Sequence, residues 1–184
     1  MVEITYPLLT ERLVLRRFVA ADLPAYYDHQ RLPETVRYLL CGPRSYTECM
    51  TRVGMFADSK FEKEGDWATF AIQLKDNSEL LGQIALKWGS GGGESARQLV
   101  GELGWSLAPG AQGRGYATEA AAAVLELAVH TLGFHRLEAR LDVRNDASAA
   151  VCERLGMQRE GVLRDNMYLK GEWTSEAIYA VVRD

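Results

Sequence analysis

Cysteine and histidine are scarce in this chain, with 3 of each in 184 residues. Cys41, Cys49 and Cys152 make an odd number without Cys-x-x-Cys spacing, and His29, His130 and His135 are scattered without ligand spacing. That pattern excludes a disulfide framework and a zinc site, and predicts reduced thiols in a cytoplasmic protein. An excess of positive charge is also missing. The net charge of −4 argues against nucleic acid as the main ligand, so any phosphate-binding site must be a local feature. No apolar run approaches membrane-spanning length, and no positive stretch followed by an apolar one opens the chain. Neither a membrane span nor a secretory leader is therefore expected. Internal repeats and low-complexity tracts are absent as well.

What remains is the balance of a globular protein, 47% apolar and 25% charged. A chain this long buries roughly 70% of the surface its unfolded form exposes, enough for a core without metal or disulfide support. Residues 8–18 read as an apolar-rich strand. Asp22 with Pro24 opens a helix, and the capping-box spacing of Ser45 and Glu48 opens another that runs towards Lys63. Ala68, Phe70, Ile72 and Leu74 alternate, and Asp76-Asn77-Ser78 supplies a turn before residues 80–88, giving a hairpin. Residues 89–93 are a glycine-rich loop, followed by a strand over Leu99–Leu107. Apolar residues then recur at three- and four-residue steps over 116–132, the stripe of a helix closed by Gly133. Leu137, Ala139, Leu141 and Val143 alternate with charged residues as a strand. A short helix capped by Asn145 or Asp146 follows, and two strands over Gln158–Leu169 and 173–182 close the chain. The expected order is β-α-α-β-β-β-α-β-α-β-β, one α/β domain over residues 1–184.

The decisive segment joins the Leu99–Leu107 strand to the next helix: Pro109-Gly110, then Gln112-Gly113-Arg114-Gly115-Tyr116-Ala117-Thr118. Unpaired N–H groups at a helix start, together with the positive end of the helix dipole, attract phosphate oxygens. Glycines let a ligand approach the backbone, and Arg114 adds a full positive charge. The Gly-Lys-Ser/Thr ending of a P-loop and the third glycine of a dinucleotide fingerprint are both missing. A Gly-x-Gly pair alone also fits an ordinary turn.

The full spelling, Gln112-x-x-Gly115-x-Ala117 between a strand and an Ala-rich helix, resembles the signature of the GNAT superfamily of N-acetyltransferases. Thr10-Glu11-Arg12-Leu13-Val14-Leu15-Arg16 is similar to the opening strand of its Rim-type branch, which acetylates ribosomal-protein N-termini. Asn145-x-x-Ser148, Leu155-Gly156-Met157 and Glu160-Gly161 continue that likeness along nearly the whole chain. The resemblance implies a mixed, mostly antiparallel sheet of about six to seven strands flanked by about four helices. It implies acetyl-CoA as acetyl donor, no metal, and an amine acceptor. That acceptor is a protein N-terminus or a small amine such as an amino acid, polyamine or aminoglycoside, and a non-catalytic acyl-CoA-binding module is the alternative. Dimers are frequent in the family, which leaves a homodimer open.

By the same resemblance, Trp105, Ser106 and Leu107 pair their backbone with the pantetheine arm and offer an N–H to the thioester oxygen. The loop from Gln112 through Thr118 holds the pyrophosphate, and Asn145 contacts the pantetheine. Ser148 protonates the departing thiolate. Cys152 stands where many members place a tyrosine acid, four residues beyond Ser148 and able to share its cleft, or simply to pack there. Glu102 is the first candidate for the general base, with Asp142 in reserve. A solvated strand carboxylate at Glu102, an N-cap at Asn145 and a first-turn helix serine at Ser148 are the plain alternatives. Trp67, Trp88 and Trp173 read as core or cleft aromatics, and Tyr26, Tyr27 and Tyr38 lie where the early helices shape the substrate cleft.

Overall fold

The computed structural model describes residues 4–89 and 99–183; all but the first residue of the expected 89–93 loop lies outside them. Eight strands form one sheet in the order β1-β2-β3-β4-β5-β6-β8-β7. They are β1 (Leu8–Leu9), β2 (Leu13–Arg16), β3 (Trp67–Leu74), β4 (Leu80–Gly89), β5 (Leu99–Leu107), β6 (Phe134–Asp142), β7 (Gln158–Leu169) and β8 (Glu172–Val182). Every neighbouring pair is antiparallel except β5 and β6, which run parallel. The helices are α1 (Leu23–Gln30), α2 (Pro33–Val36), α3 (Tyr46–Ala57), α4 (Tyr116–Glu126) and α5 (Asp146–Arg154).

Sheet and helices both exceed the expected numbers slightly, for local reasons. Residues 8–18 form two strands around a turn at Thr10-Glu11-Arg12, because the Glu119 carboxylate of α4 accepts from both the Thr10 hydroxyl and the Arg12 N–H. Helix α2 is a single turn begun by Pro33, too short to show a period. Helix α3 opens on the expected box, with Ser45 Oγ accepting from Glu48 N and Glu48 Oε2 accepting from Ser45 N. It ends at Ala57 rather than near Lys63, since Arg17 Nη1 donates to Ser59 O at 3.0 Å and Ser59 Oγ to Phe56 O at 3.0 Å, satisfying the chain where the helix stops. Asp22 precedes α1 but makes no side-chain cap; its carboxylate accepts from the Arg16 guanidinium and Val19 N–H instead.

Alternation sorts the side chains of β3 and β4 between two covered faces. Phe70, Ile72, Ile84, Leu86 and Leu103 are closed from solvent on the face covered by α4. Each such side chain contributes roughly 1.5–3 kcal/mol of transfer free energy. The contacting stripe of α4 is Ala120, Ala121 and Val124, whose short side chains let the helix axis lie close to the sheet. The last turns of α4 widen into a π turn over Leu127–Thr131, and Gly133 at φ 78° ends it. On the opposite face, Phe18, Tyr26, Cys49 and Val53 of the α1–α3 layer pack on Ala71.

Candidate active site

The site exists because β5 and β6 part company. Their pairing stops at Glu102↔Glu138, although β5 continues to Leu107 and β6 to Asp142. Past that rung β5 stays paired with β4, and β6 with β8. Alternate backbone groups of residues 103–107 therefore face a gap instead of a strand. The gap is flanked by the N-termini of α4 and α5, the helices that follow the two parting strands.

Two cavities open on it. One, of 830 Å³, lies at the start of α4 and includes Leu107, the loop Gln112 to Thr118, and Ala147 and Val151 of α5. The other, of 720 Å³, is walled by α3 through Arg52 and Phe56 and by the sheet through Thr69, Gln83 and Gly104. They share Tyr38, Leu39, Trp105, Ser106, Asn145 and Ser148. The structure thus brings Trp105, Ser106 and Leu107 of β5, the loop Gln112 to Thr118, and Asn145 and Ser148 around one meeting point.

The loop is shaped by its glycines. Gly113 has φ 72° and Gly115, at the N-cap of α4, has φ 82° and ψ −1°, a conformation side chains with a Cβ rarely adopt. Gln112 Nε2 donates to Leu107 O at 3.1 Å and ties the loop to the strand end. A clamp outside the motif holds the loop from behind. Glu119 Oε2 receives Arg12 Nε at 2.7 Å, Glu119 Oε1 receives Arg12 N at 2.8 Å and Thr10 Oγ1 at 2.6 Å, and Arg12 Nη1 donates to Arg114 O at 3.1 Å. Burial alone would raise the Glu119 carboxyl, but the hydrogen bonds from Thr10 and Arg12 hold it below the usual carboxylate range. Arg12 and Arg114 also lie over the Tyr116 ring, at 4.6 and 5.2 Å from its centroid.

Asn145 caps α5, its Oδ1 accepting from Ser148 N at 3.1 Å, and both residues line the meeting point of the cavities. Cys152 is placed elsewhere: it is 0% exposed in the core, lines neither cavity, and burial pushes its thiol up to about 12. Glu102 also lines neither cavity. It stands at the last paired rung, on the same strand face as Gly104 and Ser106, with Lys87 Nζ 3.9 Å from its carboxylate. Asp142 is occupied. Its carboxylate receives the Arg144 side chain at 2.7 and 2.9 Å and the Arg144 N–H at 2.9 Å, and the side-chain bonds above all hold it below the usual range.

Sequence reasoning passed over four contributors. Arg12 and Glu119 signal themselves only as a family-like spelling. Lys170, in the β7–β8 turn, donates to the carbonyls of Arg37 and Leu39 at 2.9 Å each, and so fixes the segment that brings Tyr38 and Leu39 over both cavities. Gln83 faces Ser106 across β4 and β5 with its Oε1 buried and without a partner, at the wall of the α3-side cavity. Among the described residues, no three His, Cys, Asp or Glu side chains are grouped as metal ligands, and no helix is long and apolar enough to cross a membrane.

Comparison with known proteins agrees with this geometry. Residues 12–158 match the acetyltransferase (GNAT) domain family. An uncharacterized N-acetyltransferase of Bacillus subtilis is 29% identical over 175 residues, 95% of this chain and 96% of the relative. The ribosomal protein uS5-alanine N-acetyltransferase of Escherichia coli is 29% identical over 182 residues, 95% of this chain and 89% of that one. An acetyltransferase (GNAT family) structure from Bacillus anthracis superposes with TM-score 0.83 at 25% identity, covering 96% of this chain and 98% of that one. The structure of the ribosomal α-N-protein acetyltransferase RimL in complex with coenzyme A shares the fold, with TM-score 0.76 at 19% identity over 96% of this chain and 98% of that one. With the loop, the parted strands and the match over residues 12–158 in agreement, the chain belongs to the GNAT family and is an acyl-CoA-dependent N-acetyltransferase.

Proposed function

We propose that the chain moves an acetyl group from acetyl-CoA directly to the α-amino group of a protein N-terminus, with both substrates bound together. The carrying observation is that the cavity built on the α4 loop and the cavity under α3 meet at Trp105, Ser106, Asn145 and Ser148. An amine on one side then reaches a thioester on the other without a protein carrier. No cysteine among the described residues lines either cavity, which supports direct transfer. The free thiols Cys41, Cys49 and Cys152 support a cytoplasmic setting.

The residues divide the work as follows. Acetyl-CoA supplies the activated acyl group and the thiolate leaving group. The N–H groups from Gly113 to Ala117, with Arg114, hold its pyrophosphate, and the free edge of β5 at Trp105, Ser106 and Leu107 holds its arm. One N–H of that edge stabilises the developing oxyanion, an effect of about 3–4 kcal/mol in other acyl-transfer sites. The Ser148 hydroxyl gives a proton to the leaving sulfur, and Glu102 takes one from the amine through water. Gly104, between Glu102 and Ser106, leaves open space where that water runs.

Two features favour an α-amine. Its pKa is about 8, so about a tenth is already neutral at pH 7, whereas a lysine amine near 10.4 needs a stronger base. No histidine lines either cavity, so the available base is modest. The relative that acts on a ribosomal-protein alanine points the same way. Incubation with peptides carrying both a free N-terminus and an internal lysine, read by mass spectrometry, is expected to place the acetyl group on the α-nitrogen. Exclusive modification of lysine or of small amines contradicts the proposal.

Two substitutions test the parts separately. Ser148→Ala is expected to lower kcat about 10²-fold, with KM for acetyl-CoA within about twofold. An unchanged kcat removes Ser148 from the chemistry. Arg12→Ala releases Glu119 and the Arg114 carbonyl, and is expected to weaken acetyl-CoA binding about tenfold by calorimetry, or 1.4 kcal/mol. Wild-type affinity would show the clamp to be irrelevant to the loop. Because the Glu119 carboxyl is depressed in the fold, its contribution is present above the unfolded value of about 4.3 and is lost as pH falls through the folded value.

A further inference from the structure

Arg52 is an anchored guanidinium without a counter-charge among the described residues, set in the wall of the α3-side cavity. Its Nε donates to Tyr26 Oη at 3.3 Å, and Tyr26 is itself buried. Its guanidinium carbon lies 5.0 Å from the Phe56 ring centroid, one helical turn further along α3. Arginines 12, 16, 31, 136, 140 and 144 all have a carboxylate within 4.0 Å, whereas among the described residues Arg52 has none. Position and orientation are therefore fixed, and both terminal nitrogens remain available.

From this placement we infer that the acceptor carries a carboxylate close to its amine, and that Arg52 recognises it. The inference rests on the acetyl-transfer reading above. A guanidinium fork matches a carboxylate through two parallel N–H···O bonds, and an aromatic partner and a fixed Nε reduce the entropy lost when they form. The remaining charges of the cavity are consistent with this. Asp66 Oδ2 is taken up by the N–H groups of Glu62 and Lys63, at 2.8 and 2.9 Å, and Asp58 is the other acidic group of the wall. Lys60 and Arg140 stand against them, Arg140 being shared at 3.4 Å between Glu138 and Glu176. A polyamine needs a wall in which acid prevails, whereas this one sets Asp58 and Asp66 against Arg52, Lys60 and Arg140. Two acceptors share the required chemistry: a peptide with Asp or Glu among its first residues, and a free amino acid.

The test measures thiol release for peptide pairs that differ only by Asp against Asn, or Glu against Gln, at the second and third positions, with free amino acids alongside. The wild type is expected to favour the acidic member at least tenfold in kcat/KM, mainly through KM. Arg52→Met is expected to bring that ratio to about one, and Arg52→Lys to restore part of it, with acetyl-CoA affinity measured in each variant to establish folding. Equal rates for acid and amide in the wild type overturn the inference, as does a ratio that survives Arg52→Met. Turnover of amino acids but no peptide, lost in Arg52→Met, would sustain the role of Arg52 and refute the protein N-terminus as acceptor. Turnover of acidic and neutral peptides alike would do the reverse.

Discussion

Gly115→Asp is expected to abolish measurable acetyl-CoA binding, a loss of at least 100-fold, or about 2.7 kcal/mol. Three effects combine. Gly115 sits at φ 82°, where an L side chain is strained. The position is the N-cap of α4, so an added carboxylate stands beside the first N–H groups of the helix, which await an anion. An added carboxylate also repels pyrophosphate, and its Cβ would lie 3.3 Å from Arg12 Nη2, close enough to draw that guanidinium away from Glu119. Gly115→Ala separates these effects. It keeps the strain without the charge and is expected to fall between wild type and Gly115→Asp. Calorimetry with coenzyme A checks the series, and wild-type affinity in Gly115→Asp would displace the cofactor site from this loop.

Glu102→Gln is expected to lower kcat about 10²-fold at pH 7, with the deficit shrinking as pH rises past about 8. The amide keeps the shape and cannot take a proton, so the variant depends on amine that is already neutral. That fraction grows about tenfold from pH 7 towards pH 9 for an α-amine. The position supports a relay rather than direct contact. Glu102 closes the last rung before β5 and β6 part, and two residues along a strand span about 7 Å, the stretch left open at Gly104. A pH–rate profile of Glu102→Gln identical to that of the wild type would exclude Glu102 from proton removal.

Features written in local spacing are legible in the sequence, and features made by distant pairing are not. The Ser45–Glu48 capping box, the stripe of α4 and the Asn145 cap each depend on residues within one or two turns, and each stands where the spacing puts it. The loop at Gln112 is legible in the same way, because its glycines occupy the left-handed conformation that a tight turn into a helix requires. The parting of β5 and β6 depends on pairings between separate segments, and no alternation of apolar residues records where pairing stops. Arg12 and Glu119 meet across more than half of the chain, so neither looks like part of a loop when read alone. Cys152 lies four residues beyond Ser148, near enough in helical phase to suggest the same cleft. Yet it turns into the core while Ser148 faces the cavities, because α5 is buried on that side against the sheet and α4. Arg52 shows the same limit from the other side, since a guanidinium without a carboxylate partner among the described residues is recognised only once the chain is folded.

The most direct test of the central claim is thiol release from acetyl-CoA, measured with and without a peptide bearing a free α-amino group, while the acetylated peptide is counted by mass spectrometry. Two cavities meeting at Ser106 and Ser148 lead to one expected result: release only when the amine is present, equimolar with acetylated peptide, and no acetyl group on the protein itself. Tight binding of acetyl-CoA without release on any amine would contradict it, as would a burst of thiol in the absence of amine.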